Sequence, residues 1–212
     1  GNLNSSTLLP ALKIIMGNLT STSLPALKTV AGCDTTRFMG TWFVVGVKPT
    51  MLETTCSNSV EKYTLLDEDK KSNQHDIDID FKYNPKEDPF ETTNNVKSLP
   101  QKGWVQGNNR KQSGDWLVSP FWPIKMSFPI IELDEKDYSY AVVGYPDRNY
   151  CWILSRTPTM KDKLYKEIEK KLVDNHQYDL EGFRKVPQKW TAEERTKRGL
   201  TKEELPDSFL VN

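Results

Sequence analysis

The segment PDRNYCWILSRTPTM, Pro146 to Met160, contains an apolar run that is followed by a helical pattern. Its middle part, NYCWILSR, predicts a strand over 149–156. Leucine and isoleucine then recur at intervals of four between 164 and 172, among lysines and glutamates, which predicts an amphipathic helix over about 159–176. A helix with a single apolar face buries that face, so we expect it to lie on the outside of a β-structure.

Seven further strands are predicted upstream, because short apolar runs alternate with turn signals and show no helical period. Eight consecutive strands favour an up-and-down barrel, since closure removes the unpaired edges of a sheet. The predicted fold class is all-β, an eight-stranded antiparallel barrel with a C-terminal α-helix packed outside. The upstream strands are expected at 41–48, 59–66, 75–83, 102–110, 115–119, 129–134 and 139–145.

The clearest alternation is DIDIDFKY at 76–83. Period two places Ile77, Ile79 and Phe81 on one face and three aspartates on the other, so one face is expected to be dry. The interior of an eight-stranded barrel is just wide enough for packed side chains or one small ligand. Whether the interior is filled or hollow therefore determines the function.

Composition narrows the classes of function. The 212 residues carry 29 basic and 29 acidic side chains, and this balance argues against a nucleic-acid partner. No apolar run approaches the about 18 residues of a membrane-spanning helix. Three cysteines, Cys33, Cys56 and Cys151, and two histidines lack metal-ligand spacing, so neither a metal site nor a catalytic residue is predicted. Cys33 and Cys56 could form one disulfide in an oxidising compartment.

Four motifs in order resemble one known family. They are GTW at 40–42, VSPFWPI at 118–124, DYSYAVVG at 137–144 and PDRNYCWILSRTPTM at 146–160. Together they are similar to the lipocalins, in particular the bacterial outer-membrane lipocalins, the temperature-induced lipocalins of plants and algae, and apolipoprotein D. The resemblance covers about 38–187 and implies a barrel that binds a hydrophobic small molecule.

The resemblance also implies roles for individual residues. Gly40, Trp42 and Arg156 are expected to close one end of the barrel, with the guanidinium over the indole. Period two then directs Gly46 and other alternate residues inward, and the family pattern adds Tyr63. The predicted ligand-binding set is apolar and tipped with Tyr OH and Trp NH groups: Val44, Tyr63, Ile77, Ile79, Phe81, Val118, Trp152 and Leu154.

The open end is expected where the loops after strands one, three, five and seven meet. These loops are 49–58, 84–101, 120–128 and 146–148, with Lys48, Lys125 and Arg148 beside them. Their large apolar side chains predict contact with a membrane surface. The alternative is a lid folded over the cavity. The predicted contact residues are Met51, Leu52, Phe121, Trp122, Ile124 and Phe128, together with Phe90 and Met126.

Both ends of the chain lie outside the family pattern. Residues 1–36 form an extension that repeats LPALK at 9–13 and 24–28, where each proline suits the first turn of a short helix. This extension is a candidate docking arm. The barrel and helix occupy 37–187, and 188–212 is a charged tail, either solvated or docked. A protein partner that holds 1–32 and 188–212 is one hypothesis.

The leading hypothesis is non-enzymatic binding of a fatty acid, lysolipid, sterol or carotenoid at or near a membrane. It requires no cofactor and leaves room for a bound lipid or pigment. The location would be peripheral, in a plastid or thylakoid setting or in a secretory compartment. One alternative is an accessory subunit of a membrane-associated, photosynthetic complex.

A second alternative is a carotenoid enzyme, because GTWFVVGVKPTMLETTC at 40–56 resembles part of violaxanthin de-epoxidase. That chemistry would need Asp76, Asp78 and Asp80 to face inward. The apolar residues between them would then face water, which is unfavourable.

Overall fold

The computed structural model of the protein describes residues 24–66, 75–91 and 95–211. Within them the chain forms helices and strands, which in chain order are α1 Thr35–Phe38, β1 Gly40–Lys48, β2 Ser57–Leu65, β3 Ile77–Asn84, β4 Lys97–Val105, β5 Trp116–Phe121, β6 Ile124–Ser127, β7 Ile130–Leu133, β8 Tyr140–Val143, β9 Cys151–Ser155, α2 Asp162–His176, β10 Arg184–Lys185, α3 Ala192–Lys197 and a 3-10 helix Asp207–Phe209.

The strands form an antiparallel sheet that closes into a barrel. Their order is β6-β5-β4-β3-β2-β1-β9-β8-β7, and β10 adds to β1. The two outermost strands, β6 and β7, are halves of one bent strand. At the bend, the Phe128 N–H donates to the Trp116 oxygen at 2.8 Å and the Ile130 N–H donates to the Gly114 oxygen at 2.7 Å. The predicted eight-stranded barrel with a helix outside is confirmed.

The strand boundaries differ most from the prediction at β4, which spans 97–105 rather than 102–110. The sequence prediction assigned 84–101 to one long loop. Pro100 is tolerated inside the strand because β5 pairs only with Lys102–Val105, so the proline lies where β4 has a free edge on that side.

Two apolar cores lie on the two faces of the barrel wall. The inner core contains Trp42 and Trp116, both fully buried. The outer core joins the wall to α2, which buries Ile168 and Leu172 completely. These two residues follow the period of four seen in the sequence, so the helix presents the expected face.

Strand β1 departs from strict alternation at a β-bulge. Its register against β9 shifts between Val44 and Gly46. Val44 and Val47 both belong to the inner core, whereas Val45 belongs to the outer core. The prediction that Gly46 points inward is therefore wrong, because a bulge inserts one residue into the alternation. Gly46 instead lies against Tyr165 of α2.

Replacing Gly46 by alanine is expected to lower the free energy of unfolding by about 1–3 kcal/mol, as overpacking does elsewhere. A Cβ at this position would lie 2.5 Å from the Tyr165 hydroxyl oxygen and 2.9 Å from its ring, so the helix has to shift. Urea unfolding followed by tryptophan fluorescence measures the loss. Gly32→Ala is the control, since a Cβ there meets nothing within 4 Å. Equal stability of the two variants would contradict the prediction.

The C-terminal segment, predicted as a charged tail over 188–212, packs across the outside of the barrel. Trp190 is fully buried, and its ring centroid lies 5.5 Å from that of Phe43 on β1. Glu204 accepts a hydrogen bond from Thr41 Oγ1 at 2.7 Å. The structure differs from a solvated tail because the apolar residues scattered through the segment complete the outer core of its own barrel.

Arg198 connects this segment to two strands. Its buried guanidinium donates from Nη1 to Glu194 Oε2 at 2.7 Å and from Nη2 to Asn84 Oδ1 at 2.8 Å. The Nε–H donates to the Asn58 backbone oxygen at 3.0 Å. The guanidinium carbon also lies 4.8 Å from the centroid of the Trp190 ring. One side chain thus bonds to α3, β2 and β3 at once.

The second LPALK copy, Leu24–Lys28, also lies on the barrel. The Pro25 oxygen accepts from Arg148 Nη2 at 2.7 Å, and Leu27 packs on the outer core. Pro25 does not begin a helix, contrary to the prediction. Arg148 is buried rather than exposed at the mouth, because its guanidinium binds backbone oxygens. The first copy, 9–13, lies outside the described residues.

Candidate functional site

The closed end of the barrel is sealed by an arginine stacked on a tryptophan. The Arg156 guanidinium carbon lies 3.7 Å from the centroid of the Trp42 ring. Gly40 beside them has a φ of +94°, which glycine adopts without strain. The three residues predicted to close the barrel therefore meet at one end. The guanidinium donates, at 2.9–3.1 Å, to the backbone oxygens of Arg37, Phe38, Met39 and Thr41.

A largely apolar cavity opens at the opposite end. Its volume is about 120 Å³, counted as the space open to the centre of a water molecule. That is about ten times the space one water needs on the same measure. The cavity is lined by Thr50, Met51, Leu52, Glu53, Glu61, Phe81, Leu99, Gln101, Val118, Pro120, Phe121, Met126, Phe128, Tyr150 and Trp152.

The eight residues predicted to bind ligand are all buried in the inner core. Phe81, Val118 and Trp152 line the cavity. The other five pack in the barrel interior without lining it: Val44, Tyr63, Ile77, Ile79 and Leu154. Large side chains thus fill part of the barrel, and the hollow part lies toward the mouth.

The residues predicted at the mouth separate into three groups. Met51 and Leu52 are about half exposed, at 56% and 47%, and with Phe121 they line the cavity. Phe128 is 6% exposed, so its placement on an open loop is wrong. The predicted loop 120–128 contains β6 and the bend before β7, and this bend turns Phe128 into the barrel.

Trp122 lies on the outer wall rather than over the cavity. It is 58% exposed, and its ring stacks on Trp104 of β4 with the centroids 5.9 Å apart. Lys125 Nζ lies 3.9 Å from the centroid of the Trp104 ring. Ile124, in β6, is partly buried. We call Trp104, Trp122 and Lys125 the outer aromatic patch.

Glu53 is a buried carboxylate that the sequence analysis missed. It lies in the β1–β2 loop and is 5% exposed. Its Oε1 accepts from Trp152 Nε1 at 2.8 Å, and its Oε2 accepts from Thr50 Oγ1 at 2.7 Å. Burial raises the pKa of this carboxyl group, and the hydrogen bonds from Thr50 and Trp152 partly offset that rise. Each oxygen of Glu53 therefore accepts a hydrogen bond from the protein.

Glu61 is the second buried carboxylate of the cavity. It lies on β2 directly across from Trp42 and is 5% exposed. The Tyr63 hydroxyl donates to its Oε2. Burial raises the pKa of Glu61 to about 7; the Tyr63 hydrogen bond lowers it and the nearby charge of Glu53 raises it. Among the described residues no donor reaches Oε1, so this oxygen accepts no hydrogen bond from the protein.

These two glutamates add hydrogen-bond acceptors to a site where the sequence predicted donors. The sequence predicted Tyr OH and Trp NH groups that would orient a ligand. In the structure Tyr63 and Trp152 donate to Glu61 and Glu53 instead. Glu61 was recoverable from the sequence, because the alternation that places Tyr63 inward also places the residue two positions earlier inward. Glu53 lies in a loop, where no such period exists.

The cysteines do not form the disulfide considered above. All three thiols are buried and free. Cys33 precedes α1 at the closed end and Cys56 precedes β2 at the open end, which separates them by the length of the barrel. Burial raises the pKa of Cys33 to about 12, with a further rise from Asp34, so this thiol is protonated at neutral pH.

Residues 24–66, 75–91 and 95–211 contain no group of three or more His, Cys, Asp and Glu side chains arranged to hold a metal ion. In the same ranges, no helix combines the length and apolarity needed to cross a membrane.

A closed antiparallel barrel with a sealed floor and an apolar cavity at its mouth defines the calyx class of small-molecule-binding proteins. Residues 33–188 match the family model described as a lipocalin-like domain. The chain belongs to the lipocalin family, as its motifs predicted, and members of this family hold small hydrophobic ligands.

Two relatives show the likeness in sequence. Temperature-induced lipocalin-1 of Arabidopsis thaliana is 27% identical over 177 residues, which cover 78% of this chain and 84% of the relative. Outer membrane lipoprotein Blc of Citrobacter freundii is 29% identical over 136 residues, 64% of this chain and 68% of the relative.

Two solved structures show the likeness in fold. Insecticyanin of the tobacco hornworm Manduca sexta aligns with a TM-score of 0.54 at 15% identity, covering 80% of this chain and 87% of that one. Lobster apocrustacyanin A1 aligns with a TM-score of 0.52 at 13% identity, covering 81% of this chain and 94% of that one. At these identities the likeness establishes the fold alone.

Proposed function

We propose that the protein is a non-enzymatic carrier that holds a hydrophobic small molecule in the barrel. The observation that supports this most is the apolar cavity of about 120 Å³, open beside the exposed side chains of Met51 and Leu52. A lipid, sterol or pigment that enters it leaves water, and this transfer is favourable. Such binding requires no cofactor, because the lipid or pigment is the cargo.

The direct test uses an uncharged probe. Delipidated protein is titrated with N-phenyl-1-naphthylamine, whose fluorescence rises in apolar surroundings, and we expect saturable binding of one probe per protein. Mass spectrometry of organic extracts from the natively purified protein then identifies the natural cargo. A probe signal that rises linearly without saturation would contradict the proposal.

Filling the cavity is expected to abolish probe binding. Val118 lines the cavity from β5, so Val118→Trp places an indole in the space that the probe would occupy. The control is Leu117→Trp, since the neighbouring residue points to the outside of the same strand and is partly exposed. Equal loss of binding in both variants would point to general disruption rather than to the cavity, and retention in Val118→Trp would contradict the site.

We further propose that the barrel contacts a membrane surface through the outer aromatic patch and the neighbouring mouth loops. The support is the outer aromatic patch, in which an exposed indole stacks on a second indole beside a lysine ammonium. Indole rings and lysines are favoured at the boundary between water and lipid headgroups. Met51, Leu52 and Phe90 add exposed apolar side chains from the mouth loops. The plastid, thylakoid or secretory setting stays a prediction.

Trp122→Ala is expected to lose most of the protein's binding to vesicles that contain anionic lipid. The substitution removes the exposed ring together with its stacking contact on Trp104. Flotation with the vesicles measures the bound fraction. Val173→Ala, an exposed apolar residue on α2, is the control. If the two variants bind vesicles equally well, the patch is not the contact surface.

The two alternative functions gain less support. The accessory-subunit hypothesis relied on a partner that holds both terminal segments, whereas the C-terminal segment packs on its own barrel. The de-epoxidase hypothesis required three inward-facing aspartates. Asp78 and Asp80 point away from the inner core, and Asp76 is buried against Arg110 and the Val105 N–H, outside the cavity lining.

A further inference from the structure

The ionisable side chains that line the cavity are acidic rather than basic. Its lining residues, taken from the described part of the chain, include two glutamates and no lysine, arginine or histidine. A ligand that carries a carboxylate would therefore bring a negative charge into an apolar space that offers it no positively charged side chain. Burial of an unpaired charge of this kind is strongly unfavourable.

Of the two glutamates, only Glu61 has an oxygen that accepts no hydrogen bond from the described residues. Glu53 is bonded through both oxygens, by Trp152 and Thr50. Glu61 is bonded by Tyr63 at Oε2 alone, among the described residues. Because Glu61 pairs with Trp42 in the β1–β2 register, it lies toward the closed end, where the innermost part of a bound molecule would reach.

We propose that Glu61 binds the polar end of the cargo, and that this end is a hydrogen-bond donor, an amine or an alcohol, attached to an apolar body. The inference rests on the proposed carrier function and narrows its ligand class. Lipophilic amines and alcohols satisfy the free oxygen of Glu61 and place their hydrocarbon against Phe81, Val118 and Phe128. Among the hypothesised ligands, fatty acids are then disfavoured, because their polar end is a carboxylate.

Three ligands of equal chain length test the proposal by displacement of bound N-phenyl-1-naphthylamine at pH 8. They are decylamine, decanol and decanoate, each used below its micelle concentration. We expect decylamine to bind at least about tenfold more tightly than decanoate, with decanol between them. The ammonium of decylamine is attracted by the Glu61 carboxylate, whereas the carboxylate of decanoate is repelled by it. Equal displacement by decylamine and decanoate would overturn the inference.

Glu61→Gln keeps the size of the side chain and an oxygen for Tyr63 but removes the charge. In this variant the preference for amine over acid is expected to fall below about threefold, since a neutral amide accepts a hydrogen bond without attracting a cation. Asp80→Asn is the matched control, because Asp80 lies on the outer face of the adjacent strand with its side chain 43% exposed. The preference of Asp80→Asn for decylamine over decanoate should equal that of the unaltered protein.

Should Glu61→Gln fail to fold, the unaltered protein at pH 5.5 replaces it, because protonation of Glu61 removes the same charge. The titratable groups around Glu61 are Tyr63 on its own strand, Glu53 from the β1–β2 loop and Tyr150 from the β8–β9 loop. Arg156, from the end of β9, is held against Trp42 and backbone oxygens.

The outcomes separate the two proposals. Loss of the amine preference in Glu61→Gln, or at pH 5.5, supports the role of Glu61. A preference that persists under both conditions overturns it. If the probe binds but none of the three ligands displaces it, this inference fails while the carrier function stands. If the probe itself does not bind, the carrier function fails and this inference fails with it.

Discussion

Replacing Arg198 by alanine is expected to lower the free energy of unfolding by about 3–5 kcal/mol, the usual cost of removing one partner from a buried ion pair. The residue is 3% exposed, and its guanidinium is bonded to Glu194, Asn84 and Asn58. The variant removes the buried cation of the Glu194 carboxylate and leaves only the half-exposed ammonium of Lys197 beside it. It also leaves two acceptors on the strands without their donor.

The pKa of Glu194 shows how much this pairing matters. Burial alone would raise the pKa of Glu194, but the hydrogen bonds and charge of Arg198 outweigh burial and hold it below its ordinary value. Burial lowers the pKa of Arg198, although Glu194 opposes that shift. The guanidinium remains charged at neutral pH because its ordinary pKa is so high.

Lys197→Ala is the matched control for Arg198→Ala. Lys197 is the preceding residue and pairs with Glu193 and Glu194, but its side chain is 47% exposed. Exposed pairs contribute about 0–1 kcal/mol, so this variant should unfold almost as the unaltered protein does. Urea unfolding measures both. Trypsin should also cleave the C-terminal segment faster in Arg198→Ala, and equal losses in the two variants would contradict the role of Arg198.

Thermal stability is expected to fall as the pH rises from about 4.5 to about 7, which is opposite to the usual acid limb. Burial raises the pKa of Glu61 to about 7 from an ordinary 4.5. In this window the folded protein retains a proton that the unfolded chain has released. Raising the pH therefore favours unfolding, by about 3 kcal/mol over the window, and the loss ends above the folded-state pKa.

Another carboxylate, that of Glu204, changes the stability of the protein in a lower pH range. The pKa of Glu204 is lowered to about 2, because its hydrogen bonds from Lys62, the Thr201 backbone and Thr41 outweigh the effect of burial. A lowered pKa contributes stability that is lost as the pH falls below about 4.5. The two effects together predict greatest stability near pH 5. The raised pKa of Glu53 adds to the loss above that pH.

Glu61→Gln should flatten the dependence between pH 4.5 and 7, because an amide does not titrate. Differential scanning calorimetry at half-unit pH steps measures the midpoint of unfolding for both proteins. Asp80→Asn, which removes an exposed acid from the neighbouring strand, should keep the full slope. An unaltered slope in Glu61→Gln would show that other groups cause it.

The barrel was predictable from sequence because each strand has a dry face and the family motifs stand in order. Ile77, Ile79 and Phe81 are buried as their alternation indicated. The bulge before Gly46 was not predictable, since nothing in the local sequence marks an extra residue there. The C-terminal segment was equally obscure: Trp190 and Leu205 are isolated apolar residues, and only tertiary packing shows that both are fully buried.

The site was predictable in its apolar part and missed in its polar part. Phe81, Val118 and Trp152 follow from period two on their strands. A glutamate in a strand is normally read as an outward residue, because burial of its charge is unfavourable. Glu61 departs from this rule with the help of the Tyr63 hydroxyl, and the alternation that directs Tyr63 inward was the one sequence signal that placed Glu61 on the same face.

The packing of the C-terminal segment on β1 has a consequence for how the chain folds. Thr41 and Glu204 form their hydrogen bond across 163 positions of sequence. Contacts between such distant residues form late, since closing so long a loop is entropically unfavourable, and proteins dominated by them fold slowly. During synthesis, Trp190 leaves the ribosome after most of the chain, so the outer face of β1 with Phe43 stays uncovered until then. The apolar outer face of β1 is therefore exposed to solvent for longer during synthesis than the contacts between neighbouring strands are.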